Sequence, residues 1–71
     1  METEERKMIT TEFFKTLKEA EEFKPICNLK NVFGKDKPGT VEAFKFWLYD
    51  AISYGREKEV KDARAVVVMY R

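Results

Sequence analysis

The chain has 71 residues, 44% of them apolar and 38% charged, and its 14 Lys and Arg stand against 13 acids for a net charge of +1. That balance describes a folded chain rather than a disordered one, and the length admits one small domain, residues 1–71. Residues 1–24 carry five cations against seven acids, residues 25–39 three against one, and residues 40–71 six against five, so the basic footprint of a nucleic-acid binder is missing.

Residues 1–7 are polar and charged and read as a frayed lead-in. From Thr11 to Lys24 the spacing predicts a helix. Phe13, Leu17 and Ala20 recur at helical intervals, Phe14 and Phe23 widen the stripe, Thr10 or Thr11 offers a capping hydroxyl, and Glu12 suits the first turn. Pro25 ends that helix at Lys24, because the residue before proline avoids the helical region.

A second, two-turn helix is expected over residues 25–33. Pro25 stands at its first position, Ile26, Leu29 and Val32/Phe33 share a face, and Gly34 supplies the C-terminal residue. Residues 34–39 (Gly-Lys-Asp-Lys-Pro-Gly) are the clearest loop. Thr40 then caps a third helix over Val41–Tyr54, stopped by Gly55. Val41, Phe44, Trp47, Leu48, Ala51 and Ile52 gather on one side of it. Phe46 and Tyr49 project from the opposite face, among Glu42, Asp50 and Ser53. They are either a partner surface or the back of a helix buried on two sides.

Residues 56–64 read as helix, with Val60 and Ala63 in phase and Glu57–Lys61 and Lys58–Asp62 pairs. Residues 65–70 (Ala-Val-Val-Val-Met-Tyr) are apolar throughout, either a continuation of that helix or a short strand. The helix is favoured, because the only evident internal partner for a strand lies near Lys7–Thr10. The expected fold is therefore mainly α, a three- to four-helix domain built round Phe44 and Trp47, with an α+β arrangement as the alternative.

Chemistry is constrained by what is missing. There is no histidine and one cysteine, Cys27, so no internal disulfide and no ordinary structural zinc site can form. Cys27 has no base to activate it, and Ile26 and Leu29 beside it suggest a buried thiol. Ser53 is the only serine, which excludes an acyl-transfer triad in its ordinary form. The Gly34…Gly39-Thr40 spacing imitates a phosphate-binding loop, but the lysine that should precede Thr40 is absent. Glu19, Glu21, Glu22, Glu57 and Glu59 belong to solvated faces. The third helix lacks the Arg, Asn or Gln that would read base edges. No catalytic residue, metal ligand or cofactor is expected.

The remaining signal is apolar surplus. The expected function is a non-enzymatic protein-interaction module, a small regulator or inhibitor of a larger protein. Phe46, Tyr49, Val68, Met69 and Tyr70 form its contact surface, for a partner or for a homodimer. The alternative is a weak nucleic-acid or anion binder using Lys30, Lys35 and Lys37. The charged N-terminus lacks the apolar stretch of a signal peptide, and no apolar run reaches the ~18 residues of a membrane span. With the lone thiol, this makes the cytoplasm the expected location.

Overall fold

The computed structural model describes residues 9–26 and 29–70. Six elements follow one another: β1 (Ile9–Phe14), α1 (Leu17–Glu22), β2 (Leu29–Gly34), α2 (Val41–Ser53), α3 (Glu57–Val60) and β3 (Ala65–Tyr70). The strands make one sheet in the order β1-β3-β2, and both outer strands run antiparallel to β3. β1 and β2 are thus parallel to each other, with the last strand inserted between them, a split β-α-β arrangement.

The fold is α+β, which corrects the mainly helical expectation. The reason lies in β3. Val66, Val67 and Val68 are fully buried, and Met69 nearly so. Alternate side chains of a strand point to opposite faces, so an unbroken apolar run suits a strand covered on both sides. On one face Ala65, Val67 and Met69 meet Ala20, with Phe14, Leu17, Phe23 and Val32 around them. On the other, Val66 and Val68 meet Phe44, with Phe13, Phe33, Trp47, Leu48 and Tyr70 around them. α1 lies over the first face and α2 over the second, giving three layers. Each buried valine contributes about 1.5–3 kcal/mol of transfer free energy, so β3 carries a large share of the stability.

The helix expected over Thr11–Lys24 is a strand, a turn and a shorter helix. Neither Thr10 nor Thr11 caps it. Thr16 does, its hydroxyl accepting from the Glu19 N–H at 3.1 Å. Among the described residues of the helix expected over 25–33 none is helical, and Leu29–Gly34 is β2. Gly34 is no helix terminus but a buried strand residue at the Ala65 register position. A Cβ there would lie 3.1 Å from the Arg64 carbonyl oxygen and 3.3 Å from Leu17 Cδ1, which is why glycine occupies it. Residues 65–70 do not continue a helix. They pair with Ile9–Phe14, beyond the Lys7–Thr10 segment expected, and with β2 as well.

α2 occupies Val41–Ser53, and Gly55 follows with φ 82°, the left-handed backbone that stops a helix. Thr40 precedes α2 but makes no side-chain cap. Its hydroxyl instead donates to the Lys37 carbonyl at 2.8 Å and accepts from the Gly34 N–H at 3.1 Å, binding the 35–39 loop to the end of β2. The frayed segment expected at residues 1–7, and Cys27, lie outside the described residues. Among the described residues no helix is long and apolar enough to cross a membrane.

Candidate functional site

α2 owes its two-sided character to where its apolar residues fall. Phe44 packs on the sheet, with Trp47 and Leu48 at the margins of the same core, and Ala51, seven residues on, is also buried. Phe46 and Tyr49 are about 120° or more from that face on the helical wheel, and they are 61% and 62% exposed. Residues three apart on a helix have neighbouring Cβ atoms, about 5–6 Å apart, so these two rings form one surface feature. The Phe46 ring meets the edge of Trp47 at 5.1 Å between centroids and 85° between planes. Trp47 is half-buried in the core behind it, so Phe46 stands on a fixed support. Glu42, Lys45 and Ser53 are exposed around the pair. The result is an aromatic centre with a polar rim, the composition of a contact surface.

The other residues expected to meet partners are placed differently. Val68 is fully buried and Met69 is 8% exposed, both inside the sheet. No partner reaches them while the sheet is intact, so the apolar surplus of the last strand is spent within the molecule. Tyr70 is half-buried and packs at the margin of the Phe44 core.

Two of the three expected anion-binding lysines come together, but on acceptors that belong to the chain. Lys30 Nζ donates to the Phe23 carbonyl at 2.6 Å and the Glu21 carbonyl at 3.4 Å, satisfying the exposed end of α1. Lys37 Nζ donates to the Val32 carbonyl at 3.2 Å and forms an ion pair with Glu21 Oε2 at 3.3 Å. Both line an open cleft of about 450 Å³ together with Glu21, Asn31 and Thr40. A carboxylate in that cleft opposes an anion, and both ammonium groups are already engaged. Lys35 is exposed on the neighbouring loop, beside Asp36. The bidentate pair of Asp36 and Arg64, at 2.9 and 3.1 Å, fixes the loop to the entry of β3. The hydrogen bond from Arg64 holds the Asp36 carboxyl below its ordinary pKa, partly offset by desolvation and reinforced by the charges of Arg64 and Lys35.

Among the described residues no three His, Cys, Asp or Glu side chains gather as a metal site. The aromatic pair was visible in the sequence as two rings on a polar helix face. The edge-on support from Trp47 was not, because adjacent residues on a helix do not ordinarily face each other. Compared with models of protein families, with curated proteins and with solved structures, the chain matches none.

Proposed function

We propose that this chain is a non-enzymatic protein-interaction module, a small regulator or inhibitor that docks on a larger protein through the outer face of α2. The observation that carries the reading is the exposure of Phe46 and Tyr49 on a helix whose opposite face already fills the core. Exposed aromatics on a rigid support lose little conformational freedom on binding, and such residues supply most of the energy of an interface. Trp47 supports Phe46 from behind and Glu42, Lys45 and Ser53 supply the rim, so the partner presents an apolar groove bordered by polar groups.

The test is the double variant Phe46→Ser/Tyr49→Ser, compared with the unaltered chain for stability and for capture of its partner. A photo-crosslinking phenylalanine analogue at position 49 marks the contact in the producing cells. The expected outcome is one defined adduct, lost when Phe46 is also replaced, and a stability change within about 1 kcal/mol, as for exposed positions. A large loss of stability with unchanged association would assign both rings to the core and overturn the proposal.

A further inference from the structure

The two edges of the sheet are not alike. Lys35 N–H donates to the Arg64 carbonyl at 3.0 Å, so in the alternation of an antiparallel ladder Phe33 and Asn31 also turn toward β3, while Gly34, Val32 and Lys30 turn their backbone outward. That outward row is guarded. The Gly34 N–H donates to the Thr40 hydroxyl at 3.1 Å, the Gly34 carbonyl accepts the Lys37 N–H at 3.2 Å, and the Val32 carbonyl accepts Lys37 Nζ at 3.2 Å. A lysine laid on an edge is a recognised guard against further pairing.

The same alternation turns Ala65, Val67 and Met69 toward β1, opposite Phe14, Glu12 and Thr10. The Phe14 carbonyl accepts the Arg64 N–H at 2.9 Å, consistent with that side. Ile9, Thr11 and Phe13 therefore present their backbone groups outward. Among the described residues no side chain or loop backbone bonds to that row. Arg56 touches β1 at the Thr11 hydroxyl, 3.1 Å away, and over the Phe13 ring, 5.7 Å from its centroid. Neither contact occupies the edge.

We infer that the β1 edge binds a second copy of this chain, the two β1 strands pairing antiparallel about Thr11 to give one six-stranded sheet in the order β2-β3-β1-β1-β3-β2. The register follows from the residues. Centred on Thr11, Ile9 opposes Phe13, Thr11 opposes its own copy, and Thr10 opposes Glu12. Apolar meets aromatic, hydroxyl meets hydroxyl, and hydroxyl meets carboxylate, all favourable cross-strand pairs. Ile9, Thr11 and Phe13 are the outward residues, so each of these opposed pairs exchanges two backbone hydrogen bonds. Centring one residue later would set Glu12 against Glu12, which is unfavourable.

The formal charges beside β1 balance within each copy, so net charge does not oppose a second copy as the occupant. Residues 56–62 beside β1 carry Arg56, Lys58 and Lys61 against Glu57, Glu59 and Asp62. Arg56 is already paired with Glu59 at 3.2 Å. A two-fold axis at Thr11 sets the two Arg56 side chains, each bonded to a Thr11 hydroxyl, on either side of it, and Glu59 offsets the charge of each. The outer face of α2 takes no part, so this inference and the proposed function fail separately.

The test measures association of the full chain by sedimentation equilibrium from ~10 µM to ~1 mM. The unaltered chain is expected to reach twice the monomer mass. Thr11→Pro removes an outward N–H that the internal ladder does not use, a position where proline is tolerated in an edge strand. It is expected to keep the circular dichroism of the parent and to weaken the dimer at least about tenfold. In a Cys27→Ser background, Thr11→Cys should oxidise to a disulfide between copies. The opposed Cα atoms of such a pair lie about 5.5 Å apart, within disulfide reach. Glu12→Cys, which faces Thr10 of the copy, should not. A chain monomeric at every concentration, with Thr11→Cys oxidising no faster than Glu12→Cys, overturns the inference. So does a dimer that survives Thr11→Pro and is lost in Phe46→Ser/Tyr49→Ser. Should Thr11→Pro fail to fold, the cysteine pair decides alone.

Discussion

Asp36 and Arg64 are 28 residues apart and meet as a two-bond pair at the corner where the 35–39 loop passes the start of β3. The charge-assisted hydrogen bond from Arg64 stabilises the carboxylate over the carboxylic acid, so the folded-state pKa of Asp36 is lowered from 3.8. The unfolded chain then binds protons more readily than the folded one. The pair's contribution is therefore complete above the ordinary carboxylate value and is lost as pH falls through the lowered folded value. A carboxyl-carbon NMR titration should give Asp36 a midpoint below 3.8, and Arg64→Gln should raise it. Both groups are exposed, so the effect is a marker of loop attachment more than a source of stability. Nothing local in the sequence announces this pair. Asp36 reads as one charge in a lysine-rich turn until the topology delivers Arg64 to it.

At the scale of elements, proline separates the centre of the sheet from its edge. Val67 lies in β3 and faces Glu12 of β1 and Val32 of β2 in the register. Val67→Pro removes a ladder donor from a strand paired on both sides and deletes a fully buried side chain. It should abolish the folded state, seen as loss of the sheet signal in circular dichroism. Thr11→Pro, the same change on an outward edge position, should not. Helix α2 was legible because Phe44, Leu48 and Ala51 keep one period over a long element. β1 and β2 were not legible because accidents of spacing imitate a helix. Phe13 belongs to a strand while Leu17 and Ala20 belong to α1, yet their intervals are helical. Ile26, Leu29 and Val32 do the same across the start of β2. A better signal lies in adjacent apolar pairs. Phe13-Phe14, Val32-Phe33 and Val66-Val67 each place one residue in each core, as only a strand covered on both faces can.

Those paired residues make the whole molecule one cooperative unit. Each core is too small to stand alone, since a chain of this size keeps a net stability of only roughly 3–5 kcal/mol once the cost of ordering is met. The two cores share β3, so damage to one layer is felt in the other. Phe44→Ala empties the centre of the α2 side and should cost about 3–5 kcal/mol, comparable to the whole margin. Where urea titration still resolves a transition, fluorescence of the single Trp47 on the α2 side should move together with the circular dichroism of the entire chain. Two separate transitions would show that the layers are independent. This coupling also explains why residues 65–70 do not read as an internal strand from the sequence alone. Their apolar excess looked like surface to be covered by a partner, whereas the fold has two layers of its own to cover it.

The strand at the middle of the sheet is also the last element of the domain to be synthesised. While the ribosome extends the chain, β1 and β2 have no common neighbour, and Phe13, Phe14, Val32 and Phe33 lack the β3 side chains that complete both cores. At translation rates of about 5–20 residues per second, that state lasts on the order of seconds before Ala65–Tyr70 emerges and the sheet can close. Any product terminated before β3 lacks a sheet and is open to proteolysis, so the topology itself discards incomplete copies.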